Sequence, residues 1–308
     1  MRRERLYAAR REPANSLHLP RVKSRSPRGH LARSLAGSLV SLRARQWLHF
    51  CALPLAGLGA DEMYALCTDP AQWLRALAGA VIAAGCLGCA YGINAVAERR
   101  SDRCAVKNPL VAAPELAALA TAWALVACVL ALGLALILGP WALLACGLSL
   151  ICGVTYSVGL AAKRVPVLGL LLNTGIFAPL LAVLLLPGEV PASWPHELAI
   201  FTLLLIQNQL IHELADHDED RAAGAHTTAQ LLGHRGALRL ATLAGLVIPL
   251  TTLGLAPSPG RWLLGSALAV VATLITANAG RDPTRARVLH RRTACFGGAL
   301  LWSCARLG

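Results

Sequence analysis

The sequence predicts an all-α membrane protein that crosses the bilayer about nine times. Hydrophobic residues make up 56% of the 308 positions, and the mean hydropathy is +0.56. The formal net charge is nevertheless +13, and the charged residues stand between long uncharged runs rather than within them. A soluble globular protein does not combine these properties, whereas a polytopic membrane protein with charged loops on one side does.

Residues 1–42 differ from the rest of the chain, because they are rich in Arg, Pro and Ser. Their low hydrophobicity and strong positive charge predict a basic, disordered cytoplasmic arm, followed by a transmembrane domain over residues 43–308. The same charges would allow an electrostatic tether to anionic lipid. Nucleic acid is not an expected partner, because no stacking aromatic residues alternate with the arginines.

Uncharged apolar runs begin at Gln46 and mark the predicted crossings. A transmembrane helix needs about 20 apolar residues, and most of the runs reach or approach that length. The run over residues 116–162 is long enough for two crossings and is broken at Leu138-Gly139-Pro140. The predicted crossings lie within 46–60, 76–97, 116–162, 165–188, 198–211, 240–260, 262–280 and 293–305.

The charges between the runs predict the orientation. If the amino terminus is cytoplasmic, almost all Lys and Arg residues fall on the cytoplasmic side, and the exceptions are Arg75, Arg261 and Arg306. Such an excess of positive charge on one side is typical of cytoplasmic loops. We therefore expect a multi-pass protein of the plasma (inner) membrane, with its amino terminus and its active site in the cytoplasm. The cytoplasmic segments are then the basic arm, 98–110, 163–164, 212–239 and 281–292.

Two acidic stretches stand where apolar runs end, and both fall on the predicted cytoplasmic side. Residues four apart lie above one another on a helix, so each stretch presents a polar stripe. Carboxylates are unfavourable at membrane depth and therefore face a cavity or one another rather than lipid. The first stripe is Asn94, Glu98 and Asp102, and the second is His212, Asp216 and Asp220.

Two such stripes facing each other would make a site of oxygen ligands suited to Mg²⁺, and therefore to a diphosphate substrate. Carboxylates alone would repel the phosphates, so the metal must bridge them. The carboxylates of Asp102, Asp216 and Asp220 are the expected catalytic groups. The expected metal ligands are Asn94, Glu98, Asp102, Asp216 and Asp220.

Basic residues near the stripes are expected to complete the charge balance at the phosphate oxygens. Lys163 and Arg164 could equally be ordinary cytoplasmic loop charge. The hydroxyl of Tyr156 could orient a phosphate, or the ring could anchor the chain at the membrane interface. The residues expected to contact diphosphate are Arg103, Lys107, Lys163, Arg164 and Tyr156.

Taken together, these elements resemble the UbiA superfamily of intramembrane prenyltransferases. The family's first motif, Asn-Asp-x-x-Asp-x-x-x-Asp, is similar to Asn94-Ala95-x-x-Glu98-x-x-x-Asp102. Its second motif, Asp-x-x-x-Asp-x-x-x-Gly-x-x-Thr, is similar to the stretch with Asp216, Asp220, Gly224 and Thr227. Further positions also match the family's pattern: Lys107 with Pro109-Leu110, Tyr156-Ser157 with Lys163-Arg164, and Asn173. The opening 43–47 resembles the start of the family's sequences, particularly those of the branch that transfers phosphoribosyl groups.

The resemblance covers about residues 43–308 and implies a ring of nine helices around a central cavity, with a lateral opening for a lipid tail. The two motifs would bind Mg²⁺ and a prenyl diphosphate. The implied reaction is ionisation of an allylic diphosphate, followed by capture of the carbocation by an acceptor that is often an aromatic ring. The expected protein is a Mg²⁺-dependent transferase of alkyl (prenyl) groups. Its expected partners are a prenyl diphosphate, a lipophilic acceptor and membrane lipid, with no obligate protein partner.

The first motif departs from the family pattern. Ala95 stands where most members have Asp, and Glu98 has a longer arm than Asp, so weaker or altered metal binding is expected there. The extra carboxylates of Glu213, Asp218 and Glu219 would offset this loss.

Three alternatives remain open at this stage. Two are enzymes of the same family: a terpene cyclase that lacks an acceptor, and a phosphoribosyl transferase acting on polyprenyl phosphate. The third is a cation transporter, which would carry its carboxylates near the bilayer midplane in broken helices. The acidic residues of this chain cluster at one face instead, which makes transport the least favoured of the three.

Overall fold

A computed structural model describes residues 37, 39–58, 60–102, 105, 107–158, 162–186, 190, 194–222, 224–253 and 259–291. Three predictions lie outside these residues: nearly all of the basic arm, the phosphate contact of Arg103, and the last crossing at 293–305. Within the described part, the regular structure is entirely helical.

The described chain contains twelve α-helices, joined by turns and short 3₁₀ segments. They are α1 (Ala44–Trp47), α2 (Leu53–Ala56), α3 (Ala60–Thr68), α4 (Pro70–Glu98), α5 (Ala117–Leu138), α6 (Pro140–Ser157), α7 (Leu168–Phe177), α8 (Trp194–Ala215), α9 (His217–Ala222), α10 (Thr228–Leu253), α11 (Pro259–Ala279) and α12 (Pro283–His290).

Among the described residues, five helices are long and apolar enough to cross a membrane. They are α4, α5 with its preceding turn, α6, α8 and most of α10. Two shorter apolar stretches, Leu168–Ala182 and Ala269–Ala279, accompany them. The prediction of an all-α polytopic membrane protein is confirmed, while the count of nine crossings stays a prediction.

Proline and glycine set several helix boundaries. The break predicted at Leu138-Gly139-Pro140 is present, because Gly139 adopts a φ of 121° and Pro140 starts α6. The predicted crossing at 46–60 is instead a series of short helical pieces, with Pro54 in the first turn of α2. Likewise, α7 ends at Phe177 and a 3₁₀ turn containing Pro179 follows. Proline has no backbone N–H to donate, so it interrupts a continuing helix and suits the start of a new one.

Small residues bring the long helices close together around α4. A Cβ atom at Gly85 would lie 2.6 Å from the carbonyl oxygen of Ala127 on α5, and one at Gly153 on α6 would lie 2.7 Å from Cβ of Ala90. Close contact between small residues is the usual way in which membrane helices associate. The other side of α5 exposes large apolar side chains such as Val129 and Ile137, as a face directed to lipid does.

The helices enclose a cavity. Along the bundle, α4 packs against α6, α6 against α7, α7 against α8, α8 against α10, and α10 against α11. The helix α12 packs against both α8 and α11. Beyond the end of α12, Nη1 of Arg291 donates to the carbonyl oxygen of Gln46 over 3.4 Å. This contact brings the last described helix back to the first, so the described chain closes around the cavity.

Candidate active site

One cavity, of about 570 Å³, collects the predicted site residues from distant parts of the chain. The predicted residues that line it belong to α4, α6, α8 and the loops that follow these helices. All predicted metal ligands and phosphate contacts except Arg103 lie among the described residues, and all of these line the cavity. These residues are Asn94, Glu98, Asp102, Lys107, Tyr156, Lys163, Arg164, Asp216 and Asp220.

The first acidic motif begins on α4 and continues into the turn after it. The helix ends at Glu98, yet the backbone N–H of Asp102 still donates to the carbonyl oxygen of Glu98 over 2.8 Å. This bond keeps the helical spacing, so Asp102 remains on the stripe although it is no longer in the helix. Nδ2 of Asn108 fixes the turn by donating to Oδ2 of Asp102 over 3.0 Å and to the carbonyl oxygen of Ala95 over 2.9 Å.

The second motif spans the junction between α8 and α9. Asp216 lies between the two helices, and its N–H donates to the carbonyl oxygen of His212 over 3.0 Å. The N–H of Asp220 in turn donates to the carbonyl oxygen of Asp216 over 2.9 Å, which again preserves the predicted spacing of four. Gly224 follows with a φ of +68°, a left-handed conformation that glycine adopts readily and that ends this helical stretch.

Cationic side chains of the protein itself hold the first motif. The Arg43 guanidinium, 6% exposed, lies 3.7 Å from carboxylate oxygens of both Glu98 and Asp102. Its Nε also donates to the carbonyl oxygen of Lys107 over 2.7 Å. Lys163 forms an ion pair with the other carboxylate oxygen of Glu98. The first motif is therefore tied to the amino-terminal segment and to the loop after α6.

Asp216 is the most heavily contacted carboxylate of the second motif. Its oxygens lie 3.3 Å from Nζ of Lys107, 3.4 Å from Nη1 of Arg287 and 3.3 Å from Nε2 of His212. Lys107 also reaches Glu219 over 3.0 Å. The carbonyl oxygen of Lys107 accepts a hydrogen bond from Arg43, which pairs with the first motif, and its ammonium group pairs with Asp216. Lys107 therefore links the two motifs across the cavity.

The protonation of these groups follows from burial and from their neighbours. Burial alone would lower the pKa of Lys107, but Asp216 and Glu219 outweigh it and raise the pKa. Burial opposes ionisation of Asp216, yet His212, Lys107 and Arg287 together hold its pKa below the ordinary value. Burial, together with neighbouring Glu98, raises the pKa of Asp102. Burial and the charge of Asp216 raise the pKa of Asp220 to about 6.

The donor set suits Mg²⁺ only if a ligand shares in its coordination. Among the described residues, no three His, Cys, Asp or Glu side chains lie close enough together to hold a metal ion by themselves. Mg²⁺ usually takes one or two carboxylates and completes its shell with substrate phosphates and water. Asp216 and Asp220, with Asp102 and Glu98 across the cavity, fit that mode of binding.

The extra carboxylates near the second motif play different parts in the structure. Glu213 is buried and accepts from the backbone N–H of Ala229 over 2.8 Å at the beginning of α10, and from Gln209 over 3.2 Å. These bonds stabilise the beginning of α10. The side chain of Asp218 is fully exposed, whereas Glu219 is half-exposed and pairs with Lys107.

Besides the predicted Arg164, three arginines outside the two acidic motifs line the cavity: Arg43, Arg287 and Arg291. The segment 281–292, expected to be a cytoplasmic loop, contains the helix α12. Arg287 on this helix and Arg291 directly after it both line the cavity. Their spacing of four was the one available signal, since it places both on the same helix face. Arg43 adopts a left-handed φ of 56°, which no sequence pattern here indicates.

The comparisons with known proteins agree with this architecture. The model of the UbiA prenyltransferase family matches residues 52–302, and the chain therefore belongs to that family. Family membership makes it a transferase of prenyl groups. A comparison with curated protein sequences found no match.

Solved structures share the fold at low sequence identity. A UbiA homologue from Archaeoglobus fulgidus, bound to GPP and Mg²⁺, is 19% identical with a TM-score of 0.66, over 88% of this chain and 99% of that one. A UbiA homologue from Aeropyrum pernix K1 is 22% identical with a TM-score of 0.66, over 82% and 96%. A structure of digeranylgeranylglyceryl phosphate synthase is 14% identical with a TM-score of 0.63, over 89% and 99%.

Proposed function

We propose that this protein is an intramembrane, Mg²⁺-dependent prenyltransferase that moves a prenyl group from a prenyl diphosphate to a lipophilic, usually aromatic, acceptor. The observation that carries the proposal is the convergence of both acidic motifs and seven Lys and Arg side chains on one cavity within a bundle of apolar helices. Carboxylates and cations together suit a metal-bound diphosphate, since the carboxylates hold the metal and the cations balance the remaining phosphate charge. The bound GPP and Mg²⁺ of the Archaeoglobus fulgidus homologue support the same assignment.

In this proposal, the residues at the mouth of the cavity bind and orient the diphosphate. Magnesium, when bound by Asn94, Glu98, Asp102, Asp216 and Asp220, would neutralise the charge that develops on the leaving diphosphate. Lys107 and Lys163 now pair with carboxylates, and their flexible ammonium groups can turn to phosphate oxygens when these enter. Arg164 at the rim and the hydroxyl of Tyr156 are further contacts for the phosphates.

Aromatic side chains line another part of the same cavity. The rings of Phe50 and Phe177 lie 4.7 Å apart between centroids, and both line the cavity together with Tyr91. The face of an aromatic ring attracts positive charge, so these rings can stabilise an allylic cation once the diphosphate departs. They also exclude water, which would otherwise capture the cation.

The proposed location is the plasma (inner) membrane, with the amino terminus and the active site facing the cytoplasm. The excess of Lys and Arg on one side of the predicted crossings supports this orientation. Cation transport is less well supported, because Asp102, Asp216 and Asp220 lie beyond the ends of the membrane-spanning helices rather than at mid-depth.

Product analysis tests the proposal directly. Membranes containing the protein are offered a panel of allylic prenyl diphosphates, with and without aromatic acceptors, and products are identified by mass spectrometry. We expect a prenylated acceptor and free diphosphate, both lost when EDTA removes Mg²⁺. A cyclised hydrocarbon formed without acceptor would instead identify a cyclase. In a parallel assay with a phosphoribosyl diphosphate donor and polyprenyl phosphate, transfer of the phosphoribosyl group would identify a phosphoribosyl transferase.

The elevated pKa of Asp220 predicts that Mg²⁺ binding weakens in acid. Because the pKa lies at about 6, the carboxylate is ionised at neutral pH and takes up a proton as the pH falls through that value. One ligand lost to a proton lowers metal affinity about tenfold between roughly pH 7.5 and pH 5. Mn²⁺ titration followed by electron paramagnetic resonance measures the affinity at each pH.

A variant separates this effect from general acid damage to the protein. Asp220→Asn is expected to bind Mn²⁺ more weakly at neutral pH and to show a smaller change with pH. An unchanged affinity of the native protein across the whole range would show that Asp220 is not a ligand.

A further inference from the structure

Val167 has a strained backbone, at the point where the loop after α6 leads into α7. Its φ is 65° and its ψ is −48°, and the N–H of Leu168 donates to the carbonyl oxygen of Pro166 over 2.7 Å. These features define the rare γ-turn with a positive central φ, which is unfavourable for a β-branched residue. The side chain of Val167 is half-exposed, so its own packing does not explain the conformation. Such a turn persists only where surrounding contacts fix it.

Thr228 at the beginning of α10 supplies one of these contacts. Its Oγ1 accepts from the backbone N–H of Val167 over 2.9 Å, and the residue is only 3% exposed. Two residues earlier, the N–H of His226 donates to the carbonyl oxygen of Arg164 over 3.1 Å. Both contacts come from the segment that follows the second acidic motif. That segment therefore fixes the loop of residues 162–167.

The turn determines where Lys163 stands. Because the chain folds back at Val167, the first turn of α7 packs on the backbone of Lys163, and a Cβ atom at Gly169 would lie 3.0 Å from both the Cα and the carbonyl oxygen of the lysine. From this position the ammonium group of Lys163 pairs with Glu98 of the first motif. A different φ at Val167 would move the loop away from α7, and the lysine would move with the loop.

The geometry points to Thr228 as a positioning residue for Lys163. Thr228 is not among the described residues that line the cavity, so it acts through the N–H of Val167 rather than by contact with a substrate. With the turn in place, Lys163 is held where its ammonium group can pass from Glu98 to a phosphate of the prenyl diphosphate. This role rests on the proposed prenyl transfer, whereas the contact between Thr228 and the turn does not.

Binding of a diphosphate tests this role without turnover. The probe is geranyl S-thiolodiphosphate with Mg²⁺, whose sulfur bridge resists cleavage, and it is titrated by calorimetry into the full-length protein in nanodiscs. Thr228→Val keeps the size of the side chain but removes the oxygen that accepts from Val167. We expect the affinity to fall about tenfold, as for one lost hydrogen bond to a charged group, whereas Thr228→Ser should stay within about twofold of the native protein.

Combined variants assign the loss to Lys163. Lys163→Met alone should lower the affinity about tenfold, and adding Thr228→Val to it should cost nothing further, because the hydroxyl acts through the lysine. Adding Val167→Gly to Thr228→Val should restore part of the affinity, since glycine adopts a positive φ without strain. A merely structural role of Thr228 predicts neither result.

Thr276→Val is the matched control. It makes the same change at a fully buried threonine, whose hydroxyl donates within α11 to the carbonyl oxygen of Ala272 over 2.8 Å. We expect its affinity to stay within about twofold of the native protein, since distant sites act independently. Hydrogen exchange followed by mass spectrometry gives a second measurement. The amides of the loop of residues 162–167 should exchange faster in Thr228→Val than in the native protein or in Thr276→Val.

The outcomes separate this role from the enzyme activity. If Thr228→Val binds the probe as tightly as Thr276→Val, or weakens binding equally with and without Lys163, then Thr228 does not position the lysine, although the proposed function stands. If the native protein binds no diphosphate, the proposed function fails instead, and only the contact between Thr228 and the turn, measured by hydrogen exchange, stands. Thr228→Ala repeats each comparison if Thr228→Val does not fold.

Discussion

Replacing Asp216 with Asn is expected to abolish turnover, with a loss of at least about 1,000-fold. The carboxylate lies where the two motifs meet, within 3.4 Å of side chains from three different segments of the chain. Its lowered pKa keeps it ionised at neutral pH, as a metal ligand must be. The amide removes the negative charge but keeps the size of the side chain, so the fold should survive.

Asp218→Asn is the matched control for this substitution. It makes the same change two residues later, at a side chain that is fully exposed. We expect activity within about twofold of the native protein, because exposed carboxylates contribute little to stability or to a distant site. Mass-spectrometric product formation and Mn²⁺ affinity are measured for both variants. Equal activity of the two variants would remove Asp216 from the proposed site.

The spacing of polar residues in the sequence predicted which side chains of each acidic motif lie on one stripe. Residues four apart share a helix face, and the backbone bonds at Asp102 and Asp220 carry that spacing past the ends of α4 and α8. The positions of the long apolar runs were equally informative, because backbone groups in lipid must be satisfied within a helix. Local periodicity therefore predicted both the membrane helices and the two motifs.

Contacts between distant segments could not be predicted in this way. Arg43 lies 64 residues before Lys107, to which it bonds, and Arg291 lies 245 residues after Gln46. Nothing local to Arg43 indicates its left-handed backbone, which is uncommon for a residue with a side chain. Such contacts depend on how the helices pack. Helix packing is determined by the shapes of many side chains together, so no local pattern in one sequence reveals it.

Motif spacing also failed to predict the direction in which residue 95 points. Ala95 stands where the family motif has a carboxylate, and its replacement was expected to weaken the metal site. The structure buries Ala95 completely, in a small apolar cluster with Leu110 and Ala120. Neighbouring residues on a helix point about 100° apart, so a cavity-facing Asn94 does not bring residue 95 into the cavity.

Restoring the family carboxylate by Ala95→Asp is therefore expected to destabilise the protein rather than to improve metal binding. A carboxylate at this position would be buried against Leu110 and Ala120. Nδ2 of Asn108 already donates to Asp102 and to the carbonyl oxygen of Ala95, so both of its hydrogens are used. An uncompensated buried charge costs about 3–5 kcal/mol, which corresponds to a fall in Tm of roughly 10 °C for a domain of this size.

Ala97→Asp separates burial from the mere addition of a charge, because Ala97 is exposed in the last turn of the same helix. We expect its Tm to change by no more than about 2 °C, since exposed substitutions change stability little. Thermal unfolding in detergent and Mn²⁺ affinity are measured for both variants. If Ala95→Asp kept its Tm and bound Mn²⁺ more tightly than the native protein, residue 95 would belong to the metal site. The first motif of this chain would then lack one metal ligand.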